Sequence, residues 1–222
     1  MPGVSATVRV VLAEDHAMLR GGVRAMLEAA GGVEVIGEAS DGREAVKLAE
    51  RLRPDVIVMD VAMPQLNGIE ATRQIHAASP KIAIIILSMY GDREYIREAL
   101  RAGASAYLLK EAAFSELWTA IREVVAGRRY LSPAVSGVVL DDYIDRARSD
   151  SAPSALDKLT SREREVLQLI AESKTSGEIG KALSISAHTV DSHRRKIMEK
   201  LAIHRMVDLV KFALRHGLTS LE

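Results

Sequence analysis

The chain has 222 residues, 30 Lys+Arg against 30 Asp+Glu, and no cysteine. That length suits one large or two small domains, the balanced charge argues against a general polyanion binder, and disulfides and thiolate metal centres are excluded. Charge is unevenly spread: residues 1–127 carry 14 basic and 17 acidic side chains, net −3, whereas residues 154–222 carry 12 and 9, net +3. A mildly basic tail fits a nucleic-acid role. The longest apolar run, near Ile82 to Leu87, falls far short of the ~20 residues of a membrane helix. About seven residues before the first strand leave no room for a signal peptide, so a cytoplasmic protein with no membrane partner is expected.

Val8 to Ala13 is an apolar run that ends in Glu14-Asp15. A helix follows over His16 to Ala30, with Met18 or Leu19, Val23, Met26 and Leu27 on one stripe, stopped by Gly31-Gly32. Val33 to Gly37 reads as a short strand and Arg43 to Arg53 as a helix closed by Pro54. Val56-Ile57-Val58-Met59 then runs straight into Asp60, with Pro64 and Asn67-Gly68 after it. Apolar runs without polar alternation are strands buried on both faces, as in parallel sheets. The pattern repeats: a helix near Gly68 to Ala78, a strand Ile82 to Leu87 ending at Ser88, a helix Asp92 to Ala102, a strand Ala106 to Leu109 ending at Lys110, and a helix capped by Ser115 and ending at Ala126. Five strands alternating with five helices predict a doubly wound α/β domain with right-handed crossovers.

In a parallel sheet the strand ends share one edge, so Glu14-Asp15, Asp60, Ser88 and Lys110 converge. Three carboxylates raise one another's pKa unless a cation sits among them. Hard oxygen ligands with open positions suit Mg²⁺. Lys110 offers a charge for Asp60 or a phosphoryl oxygen, and Ser88 a hydroxyl. A metal beside a carboxylate nucleophile is the equipment for forming an aspartyl phosphate.

On these motifs, with Met63-Pro64, Asn67-Gly68 and Tyr107 three places before Lys110, residues 8–127 resemble the receiver domain of two-component response regulators. The resemblance implies a (βα)5 fold with strand order 2-1-3-4-5. It implies that Asp60 accepts a phosphoryl group from a sensor histidine kinase, and that Glu14, Asp15, Asp60 and the backbone carbonyl of Ala62 arrange a Mg²⁺ ion. Ser88 and Tyr107 are then the switch pair, and Lys110 holds the phosphoryl group. Glu14 stands where Asp is commoner. Glu111 replaces the proline of many receivers, and Ala62 and Tyr90 occupy positions that tune phosphoryl lifetime in the family.

Residues 128–155 are expected to form a connector. Ser132-Pro133 starts a helix through Val135, Val138, Val139, Tyr143 and Ile144 to about Arg148, and Ser149 to Ser154 has tether composition. In residues 156–222, Thr160-Ser161-Arg162-Glu163 is a capping box. A short second helix begins at Ser176, and Ser186 caps a third that runs to about Leu201. Two short helices and a tight turn before a basic helix make a helix-turn-helix. On the third helix Val190, Ile197 and Leu201 face a core, while His188, Asp191, Ser192, Arg195, Lys196 and Glu199 face outward. Arg195 and Ser192 are candidate base readers, and Asp191 an acceptor for a cytosine amino group.

The run Leu159 to Leu167, with Glu178-Ile179, Thr189-Val190, His193-Arg194, Ile197 and Lys200-Leu201, resembles the LuxR-type DNA-binding domain. Together the two parts identify the chain as a member of the NarL/FixJ type of response regulator. The resemblance adds Thr189 and Arg194 to the DNA-contacting set and implies an operator duplex, with RNA polymerase as a further partner. Gly177 removes a phosphate-contacting lysine, and Gly180 is expected to weaken its helix by up to ~1 kcal/mol. In the last helix, residues 205–216, the apolar side chains span about 220°, more than the ~100° that packing on one core needs. Val207, Val210 and Leu214 are therefore candidates for a homodimer surface. Two rivals stand beside a phosphorylation-controlled transcription factor that is not an enzyme. One is a Mg²⁺-dependent phosphatase of haloacid-dehalogenase type, which carries a second Asp where Ala62 stands. The other is a DNA-binding regulator that ignores phosphorylation and uses its receiver only to dimerise or bind a protein.

Overall fold

Six short strands form one parallel sheet in the order β2-β1-β3-β4-β5-β6. The computed structural model describes residues 7–148 and 155–219, so the tether Ser149 to Ser154 lies outside the described residues. The elements are β1 Val8–Ala13, α1 Ala17–Ala30, β2 Val33–Ala39, α2 Gly42–Leu52, β3 Val56–Asp60, α3 Gly68–Ala78, β4 Ala83–Ser88, α4 Arg93–Ala102, β5 Ala106–Leu109, α5 Ala113–Val125, β6 Tyr130–Leu131 and α6 Pro133–Arg148. Then come α7 Ser161–Ala171, α8 Ser176–Leu183, α9 Ala187–Leu201 and α10 Met206–Arg215. Among the described residues no helix is long and apolar enough to cross a membrane.

Period-two alternation decides which face each strand residue serves. Val11, Ile57, Met59, Ile84 and Ile86 pack with α2, α3 and α4 on one side. Val10, Val56, Val58, Ile85 and Leu87 pack with α1 and α5 on the other. Both faces of β3 are covered, which is why its run is unbroken by polar residues up to Asp60. The expected order 2-1-3-4-5 holds, and β6 adds to it: Tyr130-Leu131 pairs parallel with Ala106-Tyr107 of β5. Val135 of α6 enters the same core as the receiver helices, so the start of the connector is built onto the sheet.

Local signals were uneven guides. Leu19, not Met18, is the α1 stripe residue: Met18 is 92% exposed while Leu19 packs on the core. Ser115 does not cap α5, which begins at Ala113; its hydroxyl bonds back to the Ala112 carbonyl. Ser132 precedes α6, but its buried hydroxyl has no hydrogen-bond partner among the described residues. The capping box Thr160/Glu163 is present, and a second, Thr175/Glu178, opens α8. Gly180 is required rather than a weakness: a Cβ there would lie 2.7 Å from the Ile185 carbonyl oxygen, so only glycine lets the turn into α9 pass this closely.

The helical domain has its own core, centred on Val166, Leu167, Ile179, Val190, Ile197 and Leu209. It docks on the sheet edge that carries Asp60. Gln168 of α7, 1% exposed, accepts from the Asn67 backbone N–H at 2.9 Å and donates to the Met63 carbonyl. Arg164 pairs with buried Glu70 of α3 at 2.8 Å, and Ser161 bonds the same carboxylate. Glu165 binds Arg43 of α2 and Gln74 of α3. Beyond α10, Leu218 offers its carbonyl to the Asn67 amide.

Candidate phosphoacceptor site and nucleic-acid interface

Asp60 ends β3, 3% exposed. Two features of the following turn hold it there. Asn67 caps α3 through its side chain, and the Gly68 N–H bonds the Val61 carbonyl at 2.9 Å. Lys110 Nζ lies 2.9 Å from Asp60 Oδ2 and 2.9 Å from Glu14 Oε2, one cation between two buried carboxylates. Burial, and next the Glu14 charge, push the Asp60 carboxyl up to about 6, against the pull of Lys110 and the Ala62 N–H. Burial opposes the Lys110 ammonium, yet Asp60 and Glu14 leave its pKa raised.

Carboxylate oxygens of Glu14, Asp15 and Asp60 and a ring nitrogen of His16 all lie within 4.8 Å of one another. Asp15 Oδ1 is buried and receives no aligned hydrogen bond among the described residues, although His16 Nδ1 is 2.8 Å away. A clustered hard-oxygen set with an unspent buried lone pair fits a divalent cation of the Mg²⁺ class. His16 was not anticipated. It is exposed, and Asp15 first, then Glu14, raise its pKa. Arg20 is a second addition: it bonds the Glu14 carbonyl at 2.6 Å while held by Glu38.

Ser88 and Tyr107 grip one residue from two sides. The Ser88 hydroxyl accepts the Tyr90 N–H at 3.0 Å, and the Tyr107 hydroxyl donates to the Tyr90 carbonyl at 2.6 Å. Tyr107 is fully buried, and burial drives its pKa up. The Tyr90 ring stacks on Tyr95 of α4, centroids 4.5 Å apart and planes 13° from parallel. Tyr95 donates to the Leu214 carbonyl of α10 at 3.2 Å, and burial pushes its hydroxyl up to about 12. A contact chain thus runs from the switch pair into the helical domain.

In the helix-turn-helix, α9 buries Val190 and Ile197 and presents His188, Arg195 and Lys196 to solvent. Thr189, Asp191, Ser192 and Arg194 are half-buried. Asp191 is engaged within the protein: Ser176 donates to it at 2.8 Å and Arg194 pairs with it at 3.3 Å. It braces α8 against α9, which counts against the expected role as acceptor for a cytosine amino group. Arg195 and Lys196 are exposed on this face and form no ion pair among the described residues. Of the candidate dimer residues, Val207 is 62% exposed, whereas Val210 and Leu214 are half-buried.

Comparison with known proteins agrees with this architecture. Residues 10–122 match the response regulator receiver domain, and residues 157–213 match the bacterial regulatory proteins of the luxR family. The transcriptional regulatory protein LiaR of Bacillus subtilis is 43% identical over 213 residues, covering 96% of this chain and all of that protein. The response regulator UvrY of Escherichia coli K12 is 36% identical over 215 residues, 97% of each. A LuxR-family response regulator structure from Aurantimonas superposes with a TM-score of 0.60 at 36% identity over 62% of this chain and 99% of that one. The RcsB–DNA complex gives 0.58 at 27% identity over 95% and 98%. The chain therefore belongs to the NarL/FixJ family of two-component response regulators, with a receiver domain joined to a LuxR-type DNA-binding domain.

Proposed function

We propose that the protein is a cytoplasmic transcription regulator switched by phosphorylation of Asp60 by a sensor histidine kinase. The observation that carries this is the pairing of Asp60 with Lys110 at a buried sheet edge, in one chain with an open recognition helix. The Asp60 carboxylate attacks phosphorus, Lys110 is placed to shift from the carboxylate to a phosphoryl oxygen, and Ser88 can follow the new group. Glu14, Asp15, Asp60 and the Ala62 carbonyl would hold Mg²⁺, which neutralises charge on the transferring group. Apart from forming and losing its own aspartyl phosphate, the protein turns over no substrate. Incubation with acetyl phosphate and Mg²⁺, read by intact mass, tests the reading; a chain that gains no phosphoryl mass would overturn it.

The exposed cations of α9 support sequence reading in a major groove, and the related RcsB has been seen as two dimers bound to two parallel DNAs. Arg195→Ala should cost roughly 1–3 kcal/mol on a duplex recovered by selection, and much less on random DNA. Equal loss on both would make Arg195 a phosphate contact. Val207→Glu should leave folding and phosphorylation intact but lower affinity for a two-half-site duplex by about tenfold or more, since the second half-site is bound only through the dimer. Unchanged dimeric binding in the ultracentrifuge would remove Val207 from the interface. RNA polymerase is a further partner on this reading.

A further inference from the structure

Asp60 lies at the floor of a cleft of about 800 Å³ between the two domains. One wall is the receiver, with His16, Ala62, Met89 and Lys110; the other is the helical domain, with Ala171 to Lys174 and Gly217 to Thr219. The walls are fastened around the cleft rather than across it. Gln168 and Leu218 hold Asn67 on one side. Tyr95 and Glu94 hold Leu214 and His216 on the other. Glu70 and Glu165 lock α3 and α2 to α7 behind.

We infer that this cleft selects the phosphoryl donor by size. With the domains docked, Asp60 takes phosphoryl groups from small acyl phosphates, and transfer from a phosphohistidine carried on a protein requires the domains to part. The inference rests on Asp60 being the phosphoacceptor. A space of that volume holds only a turn or two of a helix, about 10–12 Å wide with its side chains, between walls clasped on three sides. A lone helix would fill it, and the bundle around a donor histidine could not follow. Acetyl phosphate occupies a small part of the same space. The helical-domain wall carries both Lys174 and Glu172, so it favours neither sign of charge and leaves size as the discriminating property. In either transfer an Asp60 oxygen forms the new bond to phosphorus. From acetyl phosphate the P–O bond breaks and acetate leaves with the electron pair. From a phosphohistidine already protonated on its other ring nitrogen, the P–N bond breaks and the nitrogen that held phosphorus keeps the pair, leaving neutral imidazole.

The test compares two donors, acetyl phosphate and a histidine-phosphotransfer domain loaded with phosphoramidate, on the full chain with Mg²⁺, read by intact mass. Gln168→Ala/Arg164→Ala loosens the clasp from the helical domain. Arg43→Ala/Gln74→Ala loosens it from the receiver, so that misfolding of one pair does not decide the result. Because transfer from the protein donor scales with the open fraction, a resting open population of about one tenth predicts a rise of up to roughly tenfold in both variants, with acetyl phosphate rates within about twofold of wild type. If both donors accelerate alike, or their ratio stays unchanged in both variants, the cleft does not select by size and the proposal falls. If neither donor labels any form, the phosphoacceptor reading falls with it.

Discussion

Asp60→Asn is expected to abolish phosphodonor-dependent mass gain and, at pH 8 without divalent metal, to leave the protein more heat-stable than the wild type. The first effect follows from loss of the nucleophilic carboxylate that Lys110 and Glu14 flank. The second follows from linkage. In the folded chain the Asp60 pKa is raised from 3.8 to about 6, by burial first and by Glu14 second. The folded state therefore holds that proton more tightly than the unfolded state. Stability from this group is highest below about pH 4, falls as pH rises to about 6, and is flat above. The gap corresponds to about 3 kcal/mol. The Lys110 pairing is already counted in that gap, and an amide replaces the protonated carboxyl only imperfectly in a packed site, so a net gain near 1 kcal/mol, or about 2–4 °C in Tm, is expected for a chain of this size. Melting curves at pH 5 and pH 8 with a chelator measure it. A wild type that melts above the variant at pH 8 would show that the Lys110 pairing outweighs burial. Added Mg²⁺ should raise the wild-type Tm more than that of the variant.

Gly68→Ala is expected to have the largest structural effect of any single methyl addition on the phosphoacceptor side of the sheet. A Cβ at Gly68 would lie 1.8 Å from the Asp60 carbonyl oxygen and 3.0 Å from Met59 Cγ. The first atom is backbone in the middle of a buried strand end and cannot swing aside. Either α3 backs away from β3 or Asp60 moves. Overpacking of this kind costs about 3 kcal/mol, and a displacement near 1 Å at a reacting group lowers rates on the order of a hundredfold. Urea melts and acetyl phosphate labelling measure both. Gly177→Ala is the control: a Cβ there meets nothing within 4 Å, so it should add roughly 0.5–1 kcal/mol through helix propensity. A Gly68→Ala chain with wild-type stability and labelling would mean that the turn after β3 yields freely.

The sequence by itself determined the sheet, the site edge and the helix-turn-helix. These are written in local pattern: short, unbroken, β-branched apolar runs such as Val56 to Met59, bounded by Pro54 and Pro64, read as strands covered on both faces, and a parallel sheet brings Asp15, Asp60, Ser88 and Lys110 to one edge whatever the loops do. Capping boxes such as Thr160/Glu163 span three residues, and so remain legible without any tertiary information. What only the tertiary structure decided lies in contacts between residues far apart in the chain. Nothing near Tyr130 signals that it will extend β5 as a sixth strand, and Gly180 reads as a weak helix former until the Ile185 carbonyl is seen against it. Asp191 looks like a base reader until Ser176 and Arg194 are found on its carboxylate. The grip of Gln168 on Asn67 spans 101 positions. Periodicity along a chain records which face of an element is buried, but not which surface buries it. The cleft over Asp60 therefore came only from the packing of the two domains.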